Sequence, residues 1–205
     1  MTTNIGPVTE LVRIPLAVSF ESFLTTFTSQ LEPVLLEQDG ILSILTGMMV
    51  STDELRGAYA VSITQWESME AHAAFLDSAA AKPFFETLEP LAEGPPAIEH
   101  YHLGRLTSAA LQSRFAHVSL FDSRARLSSQ RKALERHIQS QDGLKRTGVS
   151  GSCIEVKEQS ALVLFSEGND FETAELVDGV VVSFVVRLER AQQKAMNPKG
   201  TSANL

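Results

Sequence analysis

The sequence predicts an α+β protein made of two β-α-β-β-α-β repeats, the second of which lacks most of its second helix. Two observations support this. Short segments with alternating apolar residues are separated by segments with helical spacing. The same order of elements also recurs after roughly 100 residues, where Gln38-Asp39-Gly40 and Gln141-Asp142-Gly143 both stand between a helix and a strand. We expect repeats at 1–106 and 115–190, a linker at 107–114, and a disordered polar tail at 191–205.

In the first repeat, Val12, Ile14 and Leu16 alternate along the first predicted strand. Ser19 is the predicted N-cap of a helix that Pro33 should kink and Asp39-Gly40 should end. A second helix begins after Ser68, restarts at Pro83 and ends before Gly94-Pro95-Pro96. The predicted strands are Val8–Leu16, Ile41–Ser51, Arg56–Gln65 and Ala97–Leu106.

The second repeat follows the same order with fewer helical residues. Its predicted helices are Arg124–Gln139 and the two-turn segment Asp170–Val177. Its predicted strands are Phe115–Phe121, Thr147–Val156, Ala161–Glu167 and Val180–Arg190.

The two repeats should pack against each other within one chain. Helices cover one face of a β-α-β-β-α-β sheet, yet the second strand is apolar on both sides, with Ile41 and Leu45 opposing Leu42 and Ile44. The uncovered apolar face needs a partner, because its burial is worth about 25 cal/mol per Å². We therefore expect two four-stranded sheets packed face to face.

Composition excludes several classes of protein. The net charge is −8 and the hydrophobic fraction is 43%. The basic residues between Arg124 and Arg146 have no aromatic platform beside them, so they predict a solvated helix face and no nucleic-acid partner. No apolar run is long enough to cross a bilayer, and the N-terminus does not resemble a signal peptide. With Cys153 as its only cysteine, the chain is expected in the cytoplasm.

One stretch of the first repeat resembles a known family. Trp66-Glu67-Ser68-Met69-Glu70-Ala71-His72, followed by Phe75 and Ser78 and preceded by Tyr59–Ile63, resembles the antibiotic-biosynthesis-monooxygenase branch of the dimeric α/β-barrel superfamily. The resemblance implies two ferredoxin-like repeats that form an intramolecular dimeric α/β-barrel, a pseudo-dimer in one chain, and leaves a further homodimer open. It also implies a protein of the kind found as fused tandem copies in fungal secondary metabolism.

The motifs that are missing narrow the chemistry. The sequence has no phosphate-binding glycine loop, dinucleotide fingerprint, paired zinc ligands or nucleophile elbow. We therefore predict no cofactor, and a purified protein free of metal, flavin and haem. A few titratable residues remain as catalytic candidates: His72, His100, His102, Tyr59 and His117.

His100 and His102 flank Tyr101 in the fourth strand, where a period of two places both imidazoles on one face. They are candidates for acid and base, for ligand contacts, for metal binding without a third ligand nearby in sequence, or for hydrogen-bonded sheet residues. His117 is either a core residue of its strand or a working histidine of the second repeat.

His72 lies on the apolar stripe of the second helix and Tyr59 lies in the third strand, so either side chain could reach a ligand. Packing is the alternative for each. The predicted substrate contacts are Arg13, which could anchor an anionic oxygen, and the aromatic residues Phe27, Trp66, Phe75 and Phe85.

These residues predict an enzyme that moves protons without a cofactor. The family resemblance implies a hydrophobic polyketide- or terpenoid-like substrate and a cyclisation, isomerisation or related rearrangement. A cofactor-free monooxygenase and a non-enzymatic binding or scaffold protein are the alternatives. We expect the pocket in the first repeat, between the sheet and the helices at 19–38 and 69–92, because only that repeat keeps both helices. The competing location lies between the two sheets, beside His117.

Overall fold

The computed structural model describes residues 6–50, 58–121, 132, 147–168 and 180–194. The strands are β1 (Val8–Pro15), β2 (Ile41–Val50), β3 (Tyr59–Trp66), β4 (Ala97–Tyr101), β5 (Phe115–Phe121), β6 (Thr147–Ser152), β7 (Ser160–Ser166) and β8 (Val180–Gln193). The helices are α1 (Phe20–Thr26), α2 (Glu32–Glu37), α3 (Met69–Leu76), α4 (Ala81–Leu88) and α5 (Ser108–Gln112). A π-helical segment, Phe27–Leu31, joins α1 to α2, and a 3₁₀ turn, Glu89–Leu91, follows α4.

The eight strands of the described residues form one antiparallel sheet with the order β4-β1-β3-β2-β8-β5-β7-β6. The first half of the chain (residues 8–104) contributes β4-β1-β3-β2, and the second half (residues 115–193) contributes β8-β5-β7-β6 in the equivalent order. The expectation of two separate sheets is therefore wrong in one respect. β2 and β8 pair edge to edge, because a free strand edge carries unpaired backbone groups that a neighbouring strand can satisfy.

The two outermost strands also approach each other. Tyr101 forms an isolated antiparallel bridge with Cys153, just after β6, and the His102 N–H donates to the Ser152 carbonyl oxygen at 3.0 Å. The Ile154 N–H donates to the His100 carbonyl oxygen at 2.8 Å. The sheet therefore curls towards a closed barrel, with a short seam between β4 and the end of β6.

The buried apolar residues form two clusters. One lies inside the curled sheet and contains side chains from both halves, such as Leu45, Val61, Val118, Phe165 and Val186. The other lies between the first half of the sheet and its helices, with its members drawn from β1 to β3 and α1 to α4: Ile14, Phe23, Phe27, Ile44, Trp66, Phe75 and Phe84. The two faces of the first-half sheet are thus buried in different ways.

Local signals set the helix ends as predicted. The Ser19 and Ser68 hydroxyl oxygens each accept a backbone N–H from three residues further on, at 3.2 Å. Gly40 adopts a φ of 80°, and an added Cβ there would lie 2.5 Å from the Ala71 Cβ, so only glycine fits. Pro33 lies in the first turn of α2, directly after the π-helical segment, so the hydrogen-bond pattern of this helical run changes beside the proline.

Several boundaries differ from the sequence prediction. The strand β6 ends at Ser152 and not at Val156. The segment 107–114 is not a plain linker, because Thr107 caps α5 within it. β8 continues to Gln193, paired with Ser43, so the first residues of the expected disordered tail are strand. β4 stops at Tyr101. The predicted helices Arg124–Gln139 and Asp170–Val177 lie outside the described residues, apart from Lys132, as does the Gln141-Asp142-Gly143 turn. Within the described part of the chain, no helix could span a membrane.

Candidate functional site

A cavity of about 240 Å³ lies between the first-half sheet and its helices. Its floor comes from alternate residues of β1, β3 and β4, and its walls come from α3, α4 and the π-helical segment. Most lining side chains are apolar: Val12, Ile14, Phe27, Leu35, Phe75, Leu76, Phe84, Phe85, Leu88, Pro96 and Ile98. The polar ones are Glu10, Ser62, Thr64, His72 and His100. A mostly apolar cavity with a few convergent polar groups is typical of a small-molecule site.

The entrance to this cavity is itself apolar. Leu76, Phe85 and Ile98 all line it, yet their side chains are 45%, 42% and 46% exposed. A wider cleft of about 470 Å³ adjoins the cavity and shares Ile14 and Phe85 with it. Large apolar side chains that remain exposed around a cavity favour a hydrophobic ligand.

His100 is held from one side by a residue of the second half. Its Nδ1 forms a very short hydrogen bond with Glu155 Oε1, and its backbone N–H donates to Glu155 Oε2 at 3.1 Å. The side chain is buried, and its other nitrogen, Nε2, has no hydrogen-bond partner among the described residues. The carboxylate therefore fixes the ring and leaves one buried nitrogen of this cavity-lining residue without a partner.

Glu155 lies in the turn after β6 and is partly exposed. Partial burial raises the pKa of its carboxyl. The hydrogen bonds from the His100 ring and from backbone N–H groups lower the pKa by a larger amount, so it lies below the usual value. The group is accordingly ionised at neutral pH. An ionised carboxylate on Nδ1 is a common way to orient an imidazole.

Glu10 lies beside these groups, in β1 directly opposite His100 in β4. Its Oε2 accepts the indole N–H of Trp66 at 3.1 Å, and its Oε1 lies 3.5 Å from Nε2 of His72. Burial raises the pKa of Glu10. The hydrogen bond and the attraction of His72, the Trp66 N–H and the attraction of His100 together hold the pKa below the usual value.

The rings of His72 and His100 are 4.8 Å apart at their centroids. Together with Glu10 they form a buried group in which one candidate ligand atom from each residue lies within 4.8 Å of the others. The arrangement can therefore move a proton between an imidazole and a carboxylate, or offer two nitrogens and an oxygen to a metal ion.

The structure brings together five of the predicted site residues. His72, His100, Phe27, Phe75 and Phe85 all line the cavity. Trp66 stands behind it, fully buried, and stacks on Phe75 with 5.8 Å between ring centroids. Its indole supports Glu10, so Trp66 is not among the lining residues.

The other predicted residues are not in this cavity. Tyr59 shares its sheet face with Val61 and Ile63, which point into the curled sheet, away from the helices. Arg13 points the same way, with its guanidinium carbon 5.7 Å from the centroid of the Phe184 ring and Nη2 3.2 Å from Glu99 Oε2. Neither residue can contact a ligand bound under the helices.

His102 follows the last residue of β4, so the alternation expected to place it beside His100 does not extend to it. It does not line the cavity. His117 lies on the opposite face of β5 from Ala116 and Val118, which belong to the interior cluster. It therefore faces away from the interior, not between two sheets, and its Nε2 hydrogen-bonds to Ser183 Oγ at 2.5 Å.

Sequence reasoning missed Glu10 and Glu155. Glu10 had a detectable signal, because it is a carboxylate on the same alternating face as Val12 and Ile14, where an apolar residue is expected. Glu155 had none, because its contact with His100 spans 55 residues and depends on how the sheet closes.

Comparison with known proteins gives the fold. No family model and no curated protein matches this chain. A "putative monooxygenase" of Fusobacterium nucleatum subsp. nucleatum superposes with a TM-score of 0.67 at 11% identity, over 93% of this chain and 95% of that one. A "putative monooxygenase" of Lactobacillus acidophilus superposes with a TM-score of 0.62 at 15% identity, over 93% of this chain and 97% of that one. An "anthrone oxidase-like protein" superposes with a TM-score of 0.61 at 9% identity, over 93% of this chain and 94% of that one. The chain shares the overall fold of these three structures.

Proposed function

We propose that this chain is an enzyme that removes a proton from a small hydrophobic molecule bound in the cavity, with His100 as the general base. One observation carries the proposal: the buried Nε2 of the cavity-lining His100 has no partner among the described residues, while Nδ1 is held by Glu155. An imidazole oriented by a carboxylate, with its second nitrogen available to a substrate, has the arrangement of an effective base.

The neighbouring groups have distinct roles in this proposal. Glu155 is a positioning residue, which fixes the ring of His100 and stabilises the imidazolium formed when it takes a proton. His72, paired with Glu10, lies close enough to stabilise negative charge that develops on a substrate oxygen. The hydroxyl groups of Ser62 and Thr64, 3.1 Å apart, offer a further donor on the cavity floor.

The substrate class follows from the cavity and its entrance. A volume of about 240 Å³, with apolar walls and an apolar rim, suits a compact molecule of a few fused rings better than a sugar or a nucleotide. Removing a proton beside a carbonyl gives an enolate, which can then cyclise or isomerise. We propose a carbon acid of the polyketide or terpenoid type.

A second candidate is a cofactor-free monooxygenase, which the names of the structural neighbours favour. In that reaction His100 removes a proton from the substrate, and the resulting substrate carbanion reduces molecular oxygen without a cofactor. A CH₂ group becomes C=O, one oxygen atom enters the product and the other leaves as water, so the base is regenerated. The proton-abstracting groups are the same as in the first candidate.

The equivalent strand order of the two halves supports the proposal that the chain is a fused pseudo-dimer of ferredoxin-like repeats, divided near residues 107–114. A stand-alone first repeat would lack Glu155 and with it the support for His100. In this arrangement the second repeat serves the site of the first.

Deuterium exchange tests proton abstraction directly. Anthrone, a tricyclic ketone with an acidic CH₂ group, is incubated with the full chain in D₂O without oxygen, and its loss of C–H signal is followed by NMR. We expect exchange well above the buffer rate, and a loss of about 10²-fold or more in His100→Gln, the usual contribution of a general base. His102→Gln, outside the cavity, is the matched control and should exchange at the wild-type rate.

Three outcomes separate the candidates. Exchange in wild type without incorporation of ¹⁸O from ¹⁸O₂ supports a rearrangement, and incorporation of one labelled atom into the product supports the monooxygenase. Binding of anthrone with no exchange above the buffer rate would make the protein a carrier, and the proposed base chemistry would be wrong.

A further inference from the structure

We propose that Glu10, His72 and His100 form a binding site for a divalent transition-metal ion, with Zn²⁺ as the ion they suit best. The three residues come from β1, α3 and β4, and their side chains line the same cavity. One donor atom from each lies within 4.8 Å of the other two. Their positions in the sequence form no metal-binding motif, because the site is assembled by the fold.

The donors are close to the separation that a metal requires. Two ligands each about 2.0–2.1 Å from a tetrahedral zinc are about 3.4 Å apart. Glu10 Oε1 and His72 Nε2 are already 3.5 Å apart. The widest pair must close by about 1–1.5 Å to reach the same tetrahedral spacing, a change that rotation of the side chains can supply.

The burial of the group points to a ligand independently of these distances. The side chain of His100 is 8% exposed, and its Nε2 has no partner in the described part of the chain. An unpaired buried nitrogen costs free energy, and a metal ion that accepts its lone pair removes that cost. His72 is similarly buried, at 6% exposure.

The donor set and its surroundings are those of a zinc site. Two imidazoles and one carboxylate would leave a fourth position for water or substrate, and all three side chains line the cavity. Metal-bound histidines almost always donate the other ring N–H to a carboxylate, a backbone carbonyl or a water, and Glu155 is such a carboxylate for His100. The Trp66 N–H that donates to Glu10 Oε2 likewise orients a ligand from outside the metal site, and it leaves Oε1 for the metal.

This site goes beyond the proposed proton transfer and does not depend on it. A bound metal would occupy the lone pair that His100 needs as a base, so Zn²⁺ should inhibit the exchange reaction. Binding itself is measured without any substrate, which keeps the two proposals separable.

The test is calorimetric titration of Zn²⁺ alone into the full chain after treatment with a chelator. We expect one ion per chain in wild type, and affinity at least tenfold lower in Glu10→Gln, His72→Gln and His100→Gln. Glu155→Gln, which changes only the outer contact, should weaken binding about 10- to 100-fold. His102→Gln, outside the cavity, is the control and should bind as wild type does.

Co²⁺ provides a measurement that does not require a variant to fold. Wild-type protein loaded with Co²⁺ should develop visible absorption of a low-coordinate nitrogen and oxygen site, and one equivalent of Zn²⁺ should abolish it. The proposal is overturned if wild type shows no saturable binding, or if His72→Gln and His100→Gln, folded by circular dichroism, still bind as tightly as wild type. Activity that needs Zn²⁺ would instead overturn the proposed metal-free base.

Discussion

Gly151 occupies the seam between β6 and the end of β4, and its replacement by alanine should open that seam. A Cβ at residue 151 would lie 1.8 Å from the His102 carbonyl oxygen and 2.6 Å from its carbon, whereas real Cβ contacts essentially never fall below 3.0 Å. Both obstacles are backbone atoms, so the strands must separate by more than about 1 Å, the overpacking that side-chain rotation cannot relieve. That movement weakens the two backbone hydrogen bonds of the seam, His102 to Ser152 and Ile154 to His100.

Two hydrogen bonds at about 0.5–1.5 kcal/mol each put the loss at about 1–3 kcal/mol. For a chain of this length, 1 kcal/mol corresponds to about 2–4 °C in Tm, so we expect Gly151→Ala to lower the Tm by about 2–12 °C. Circular dichroism during heating measures it. Gly94→Ala is the matched control, because nothing lies within 4 Å of a Cβ there, and its Tm should change little. A Gly151→Ala protein with the wild-type Tm would refute the closed seam.

Two further predictions concern buried groups in other parts of the fold. Arg190 Nε donates to Glu32 Oε2 at 2.5 Å, and the Glu32 side chain is 2% exposed, so Arg190→Met should lower the free energy of unfolding in urea by about 2–4 kcal/mol. Glu32→Met combined with Arg190→Met should recover much of the loss, and a double variant no better than the single one would contradict the ion pair. Burial, with a hydrogen bond to Glu155, raises the pKa of the Cys153 thiol, so less reactive thiolate exists at any pH below it. Iodoacetamide should therefore label native protein more slowly than urea-unfolded protein. The labelling rate of the native protein should also rise at a higher pH than that of the unfolded protein, and equal rates would refute the buried, protonated thiol.

The sequence predicted the elements better than it predicted their faces. Alternation located β5 to the residue, and the serine caps located α1 and α3, because these signals act over a few neighbouring residues. Alternation also showed that Tyr59 shares a face with Val61, but it could not show which face of β3 meets the helices. Tyr59 was therefore placed in a pocket that lies on the other side of the strand.

Contacts across the fold were the part that sequence could not supply. The expectation that the site belongs to the first half rested on its two long helices, and the cavity does lie beneath them. The same reasoning named one catalytic candidate in the second half, His117, and did not predict that Glu155 contacts His100. Pairing between strand edges depends on the curvature of the whole sheet, which no local pattern records.

The closing seam gives the second half a chemical contribution as well as a structural one. β4 is the edge strand of the first half, and without a neighbour its last residues would have free backbone groups and a poorly fixed His100. The turn after β6 provides both the backbone partners and the contact that holds His100. Its backbone pairs with the end of β4, and Glu155 reaches across to the His100 ring and its backbone N–H. Because the carboxylate and the imidazole come from different halves, any change that separates the halves must also release the ring. Loss of the seam should therefore disturb the site together with the part of the apolar interior that Tyr101 and Cys153 form at the seam.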